Sequence, residues 1–330
     1  MKNKEIVYIH RNPQLGYSIQ TVFQNIQSSL SPNWSIENLY VPYVRGNVYD
    51  VLRNLLFVFR HRKKNVIYHI SGDIHYVSLV LPQKQTIITV HDVGLMDIYR
   101  GLKRISYFLL RILPLKKCKY VTCVSSYTKT QLERFIKQSR QNQFLVINNP
   151  LNSYYDFIEK KFDSQKPTIL HIGTSKNKNL FNSILALKGL RVHLRIIGKI
   201  PENILYLLTE CHIEYSNNYG LSDVEIMKEY QKADIINFPS TFEGFGMPII
   251  EGQAIGRVVI TSNIEPMSSV AADGAYLVNP YDVHSITKAY LEVINNEELR
   301  NLLIKNGLKN SLKYKSEIIA NQYEKLYESC

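Results

Sequence analysis

Short runs rich in β-branched and aromatic residues alternate along this chain with segments of helical periodicity, and the alternation stops once and then restarts. "EIVYIH" (Glu5 to His10) reads as a buried strand. The turn "RNPQLGYS" then leads into "IQTVFQNIQSSL", where Ile19, Val22, Phe23 and Ile26 recur at helical spacing. "NVIYHI", "TIITVHD", "YVTCVS" and "FLVINNP" follow as strands, with "SSYTKTQLERFIKQ" as a helix among them. "NNPLNSYYDFIEKKFDSQKP" breaks the pattern, which resumes with "TILHIG", "VHLRIIG", "IEYSN", "DIINFPS", "RVVITSN" and "AYLVNP". Strand and helix in alternation specify a mostly parallel sheet covered by helices on both faces. The expected fold class is therefore α/β, with two doubly wound Rossmann-like domains, residues 1–160 and 161–312, facing each other across a cleft. A last helix within 313–330, "SEIIANQYEKLYE", can belong to either half, including a return onto the first domain.

The 330 residues suit two domains of roughly 150 each. Hydrophobic residues at 45% and charged residues at 21% are those of a globular chain and exclude a disordered or fibrous one. Cys118, Cys123, Cys211 and Cys330 show no Cys-x-x-Cys pair, which favours reduced thiols. The N-terminus has only a short apolar run, against a secretory signal, and "LLFVF" and "ISYFLLRILPL" fall short of the ~20 residues of a membrane span. These features predict a cytoplasmic location, with peripheral attachment to the inner leaflet left open.

Charge is distributed unevenly. Residues 1–150 hold 21 Lys and Arg against 7 Asp and Glu, while residues 151–330 hold 19 against 21. A basic first half points to an anionic partner: nucleic acid, an acidic membrane leaflet or a phosphorylated substrate. Two basic segments, "RNLLFVFRHRKK" and "RGLKRISYFLLRILPLKKCK", interleave cations with large apolar residues. Each reads either as a surface for an anionic membrane or as a core helix with a solvated basic face.

"FPSTFEGFGMPIIEGQAIG" (Phe238 to Gly256) places Glu243 and Glu251 around a bend of two glycines and a proline. Gly244 and Gly246 permit unusual backbone conformations or close approach of a ligand, Pro248 suits a helix start and Gly256 the residue past its end. The reading is a short helix whose opening turn carries Glu251, with free N–H groups at its start open to a ligand. The plain alternative is that Glu251 complements the helix dipole and Glu243 is a solvated loop acid.

From Phe238 to Asp282 the chain closely resembles the donor-binding segment of the retaining glycosyltransferases of family four, which have the two-domain GT-B architecture. Glu243 and Glu251, with seven residues between them, fill that family's pair of glutamates. "HIGTSKNKNL" resembles its glycine-then-lysine phosphate motif, "TVHDVGLMD" its N-terminal histidine segment, and "VTCVSSYTKTQL" the segment that follows. The resemblance implies a nucleoside-diphosphate sugar donor and a glycan or lipid-linked glycan acceptor. It implies that Glu251 holds the ribose hydroxyls, that Glu243 lies against the transferred sugar with the Gly244, Phe245, Gly246 and Met247 segment beside it, and that Lys178, with Lys176, faces the phosphates. Gly173 and Thr174 belong to the same phosphate loop; Thr174 stands where the family often has arginine. Gly16 resembles the N-terminal glycine loop that closes over the diphosphate, although two adjacent glycines are common there. His91 matches the histidine that contacts the donor sugar, with Asp92 next to it and Ser125 and Tyr127 as weaker neighbours.

The chain contains no Asp-x-Asp, no Gly-x-Gly-x-x-Gly, no phosphate loop ending in Gly-Lys-Ser/Thr and no paired histidine spacing. The expectation is a metal-independent transferase without a cofactor, acting in cell-surface polysaccharide synthesis. Two alternatives stay open: a nucleotide-sugar epimerase of the same architecture and a nucleic-acid-binding protein. The second lacks any recognisable reading module, so no nucleic acid is expected.

Overall fold

The computed structural model describes residues 4–16, 18–139 and 142–330. The chain divides into two compact units, Met1–Pro150 with Ser316–Cys330, and Leu151–Lys315. Among the described residues each unit holds one six-stranded sheet, parallel throughout.

The first unit runs β1 (Lys4–His10), α1 (Ser18–Ser28), β2 (Trp34–Tyr40), α2 (Val48–Arg60), β3 (Ile67–Ile70), β4 (Thr86–Val90), α3 (Leu95–Ile98), α4 (Gly101–Tyr107), β5 (Tyr120–Cys123), α5 (Ser126–Glu133) and β6 (Gln143–Val146). The sheet order is β2-β1-β3-β4-β5-β6. Ile6 to Ile9 are buried on both faces of β1, the pattern of a strand sandwiched between helix layers. The edge strand β2 is half-buried along most of its length. It therefore lacks the continuous apolar run of the central strands, and the strand readings from sequence pass it over.

The last helix, α13 (Ser316–Glu328), lies on the first unit. Ile319, Tyr323, Leu326 and Tyr327 join Ile6, Tyr8, Phe23 and Ile26 in one core. The Tyr327 hydroxyl lies 2.8 Å from that of Tyr8 and 2.6 Å from His69 Nδ1, and His69 Nε2 lies 2.8 Å from Thr89 Oγ1. Burial holds the His69 pKa well below its usual value, so the imidazole is neutral and these buried polar groups satisfy one another.

The second unit runs β7 (Thr168–Ile172), α6 (Leu180–Leu187), β8 (His193–Ile197), α7 (Glu202–Glu210), β9 (Tyr215–Asn218), α8 (Asp223–Lys232), β10 (Ile235–Phe238), α9 (Met247–Ile255), β11 (Val258–Ser262), α10 (Met267–Ala271), β12 (Tyr276–Val278), α11 (Val283–Asn295) and α12 (Glu297–Ser311). Its order, β9-β8-β7-β10-β11-β12, reverses direction between β7 and β10. Chains leaving those two strands diverge to opposite faces, so a crevice opens at their carboxyl ends. In the first unit the reversal lies between β1 and β3. Helix α9 seats closely on the second sheet because Gly252 has no side chain: a Cβ there would lie 2.7 Å from Ile236 Cγ1 and 3.0 Å from Val259 Cγ2.

Candidate active site

The loop after β7 begins with Gly173 at φ +91°, where a Cβ would stand 2.9 Å from Lys178 Cγ. Glycine is thus needed twice, for the backbone turn and for the lysine stem that folds over it. A short 3-10 turn, Lys176–Lys178, follows, and Asn179 takes a left-handed conformation before α6. Asn179 Nδ2 donates to Pro239 O at 3.0 Å and Pro280 O at 2.7 Å, tying this loop to those after β10 and β12. Asn177 O accepts from Thr241 N at 2.8 Å, and Asn177 Nδ2 donates to Phe242 O at 3.0 Å and Glu243 Oε1 at 3.3 Å. At the centre Lys178 Nζ lies 2.6 Å from Glu243 Oε1 and 4.7 Å from the centroid of the Phe238 ring. The two side chains keep 22% and 15% of their surface exposed, so the pair is largely dehydrated yet reachable. Two loops from either side of the strand-order reversal hold a cation and a carboxylate in fixed register.

Helix α9 begins at Met247, with Gly246 at φ +113° before it, and its first turn carries no acid. Glu251 is its fifth residue, which corrects the expectation of a carboxylate on the opening turn. Because dipole effects fade beyond the first turn, complementing the dipole does not explain this acid. Instead Glu251 Oε2 accepts a 2.5 Å hydrogen bond from the hydroxyl of Tyr230 on α8. Tyr230 is fully buried and packs edge-on against Tyr155, with ring centroids 5.5 Å apart. Burial pushes the Glu251 pKa up to about 7; the Tyr230 hydrogen bond lowers it, Asp223 raises it and Lys178 lowers it. The carboxyl therefore sits among protein groups, in a residue that is half-buried as a whole.

Other expected site residues are distributed around this pair. Gly244 is half-buried, and Met247 opens α9. The Phe245 side chain is buried against Tyr314, ring centroids 5.6 Å apart, so only its backbone faces the loop chemistry. Thr174 Oγ1 donates to Lys199 O at 2.7 Å. Lys176 is exposed and lines a hollow of about 340 Å³ with Thr174, Phe181 and Pro201, a wall to which neither Lys178 nor Glu243 contributes.

In the first unit Gly16 follows the turn after β1 at φ +109°, and its carbonyl accepts from Arg11 Nη2 at 3.3 Å. His91 follows β4, its Nε2 donating to Ser71 O at 2.8 Å. Burial lowers the His91 pKa, so the ring is neutral near pH 7 and presents Nδ1 as an acceptor. Asp92 is exposed and caps Gly94 N at 3.1 Å. Ser125 Oγ accepts from Thr128 N at 3.0 Å as the cap of α5, and Tyr127 is half-buried.

Sequence reasoning missed a cluster here. Asp73, just past β3, lies 2.6 Å from Arg111 Nη1 and 3.7 Å from Arg11 Nη1. Burial pushes the Asp73 pKa up, but the two guanidiniums outweigh it and hold the carboxyl below its usual range. Among the described residues, buried Arg11 Nε and Asp73 Oδ1 have no hydrogen-bond partner. The available signal was position: Arg11 and Asp73 stand at the carboxyl ends of the strands that flank the reversal. Tyr230 carries no such signal, because only tertiary packing brings it to Glu251.

Two parallel-sheet Rossmann-like units, the second with a lysine–glutamate pair at its reversal, have the fold of the GT-B glycosyltransferases. Residues 156–310, most of the second unit, match the family model of glycosyl transferases group 1. An uncharacterized glycosyltransferase of Methanocaldococcus jannaschii is 29% identical over 216 residues, which make up 63% of this chain and 59% of that protein. The O-antigen chain mannosyltransferase RfbU of Salmonella typhimurium is 28% identical over 82% of this chain and 75% of its own length. Among solved structures, Anabaena HepE in complex with UDP and glucose superposes with a TM-score of 0.81 at 12% identity, covering 99% of this chain and 100% of that one.

Proposed function

We propose that this protein transfers a hexose or related sugar from a nucleoside-diphosphate sugar to a glycan or lipid-linked glycan acceptor, with retention at the anomeric carbon, in the assembly of cell-surface polysaccharide. The observation that carries this reading is the Lys178–Glu243 pair, held by Asn177 and Asn179 at the strand-order reversal. Breaking the sugar–phosphate bond places negative charge on the departing phosphate, and a fixed, partly dehydrated ammonium stabilises that charge more than it stabilises the bound donor. A diphosphate entering the loop competes with Glu243 for Lys178 and frees the carboxylate to accept hydroxyls of the sugar. Glu251, with Oε2 on Tyr230, offers its remaining oxygen to a ribose hydroxyl. HepE with UDP and glucose and the mannosyltransferase RfbU support the donor class.

We also infer that the first unit meets a lipid-linked acceptor at an anionic leaflet. Val48, Leu52, Leu56 and Phe59 form an exposed stripe on α2 beside Arg53 and Arg60, and Leu102 and Ile105 are exposed on α4 beside Lys103 and Arg104. Both helices adjoin the same buried layer: α2 packs on the turn His75–Val80, which also packs on Phe108–Ile112, the continuation of α4. Apolar side chains interleaved with cations suit an interfacial surface. Among the described residues no helix is long and apolar enough to cross a membrane.

The test is product mass after incubation with UDP-, GDP- or ADP-sugars, with and without a glycan acceptor. A heavier acceptor is the expected result. An isomerised nucleotide sugar formed without acceptor would replace the transferase reading with an epimerase.

A further inference from the structure

A hollow of about 330 Å³ opens at the other edge of the second unit's sheet, around the amino ends of β10 and β11. Its wall includes Lys160, Lys161, Asp234, Arg257, Glu297 and Arg300. Lys160 and Asp234 form an ion pair, and Asp234 also accepts from Thr168 N at 2.9 Å, so their charges are committed to holding the chain that enters β7. The two arginines are satisfied differently. Arg257, 4% exposed, donates to the carbonyls of Ile158 at 2.8 Å, Ile255 at 3.0 Å and Gln231 at 2.9 Å. Arg300 donates to Val293 O and Ile294 O, each at 2.9 Å, with its guanidinium 4.2 Å from the centroid of the Phe162 ring.

Carbonyl oxygens fix a guanidinium in place but do not cancel its charge. Among the described residues neither arginine makes an ion pair, nor does the exposed Lys161, and the buried Arg257 Nε has no hydrogen-bond partner. The hollow thus presents three cations against one exposed carboxylate, Glu297, and Arg257 Nε lies buried in its wall without a protein partner. A dehydrated donor without a partner is costly unless a ligand or water completes it.

We propose that this hollow binds a small phosphorylated polyol, such as a sugar phosphate. The guanidinium of Arg300 supplies directed donors for phosphate oxygens, Lys161 adds a point charge at the rim, and the buried charge of Arg257 lies behind them. Glu297 accepts hydroxyls, Phe162 and Ile304 cover the carbon skeleton, and the volume is that of a small-ligand site. The site lies at the opposite end of α9 from the Lys178–Glu243 pair, since Arg257 follows that helix directly. Arg257 also holds the carbonyl of Gln231, the neighbour of Tyr230, so an occupant bears on the residue that supports Glu251.

The inference does not rest on the transfer reaction, and its test separates the two. Glucose 6-phosphate and inorganic phosphate are titrated calorimetrically into the full chain, into Lys161→Glu and Arg300→Lys, and into Lys178→Ala to remove binding at the carboxyl edge. Glucose 6-phosphate is expected to bind Lys178→Ala as it binds the wild type, and Lys161→Glu to weaken binding by about tenfold or more. Arg300→Lys keeps a cation over Phe162 but loses the fork, and it should weaken binding several-fold; should it also lower the melting temperature, the exposed Lys161→Glu variant decides. Binding that disappears in Lys178→Ala and persists in Lys161→Glu would overturn the proposal, as would no saturable binding of either probe at low-millimolar concentration.

Discussion

At the carboxyl edge of the second unit, Asn177 and Asn179 tie one loop to its neighbours through backbone carbonyls and leave Lys178 and Glu243 facing each other at 2.6 Å. At the equivalent edge of the first unit, Arg11, Asp73 and Arg111 are joined by ion pairs, and among the described residues two buried polar atoms there lack partners. Both edges use the same device, a reversal of strand order, but the second is locked by asparagines and the first is not. A pre-positioned cation favours a ligand of one fixed chemistry, whereas an ion cluster can re-pair around more varied partners. The contrast matches the nucleotide sugar proposed for the second unit and the acceptor proposed for the first. It extends to composition: the basic excess and the exposed apolar stripes of α2 and α4 belong to the first unit.

The sharpest way to break this comparison is at the locked pair. Lys178→Ala is expected to lower kcat by about 10² to 10³, the loss found when one preorganised charge stabiliser is removed, with a smaller effect on KM. Steady-state rates with saturating acceptor check it, and a kcat within threefold of wild type would place the phosphate cation elsewhere. Next in size, Glu251→Gln should weaken donor binding by about tenfold to a hundredfold, the range for a lost charge-assisted hydrogen bond, as read by isothermal titration.

The same variant tests the pH dependence. A pKa near 7 lies above the usual glutamate value of 4.5, so folding takes up a proton between those values and the empty protein loses stability as pH rises through that window. Hydroxyl donors on a ligand favour the ionised carboxylate, so donor affinity should rise from about pH 6 to about pH 8 and flatten in Glu251→Gln. On the looser unit, the double change Leu102→Asp with Ile105→Asp should cut sedimentation with anionic vesicles by about tenfold while leaving donor binding intact. Equal sedimentation by both proteins would remove the membrane role from α4. The smallest expected effect is Gly173→Ala, costing about 1–2 kcal/mol of stability through its positive φ. It should also lower kcat, because the new methyl displaces the Lys178 stem; chemical denaturation and rates read the two effects separately.

The strands buried on both faces were legible because a central parallel strand must be apolar throughout, as "EIVYIH" and "RVVITSN" are. Edge strand β2 was not, since one neighbour and a half-solvated surface impose no such run. The glycines and Pro248 marked α9 correctly, yet placing Glu251 on its first turn failed by one turn, because cap residues fix a helix end only to within a few positions. Lys178 and Glu243 were visible as residue types in a recognisable pattern. Asn177, which donates to Glu243, and Tyr230, which donates to Glu251, were not, because a hydrogen bond between distant segments leaves no trace in local spacing.

Local order in the chain was enough to determine two parallel sheets and the loops on which charged side chains would stand, since periodicity and turn chemistry act over a few residues. The structure, however, divides the units at Pro150 and Leu151 rather than at residues 160 and 161. Only the tertiary structure decided which strands became neighbours, and with them the point of reversal, the neutral burial of His69 beneath α13 and the raised pKa of Glu251. Those outcomes depend on desolvation and on contacts between segments as far apart as residues 8 and 327, energies that exist only once the chain has closed on itself.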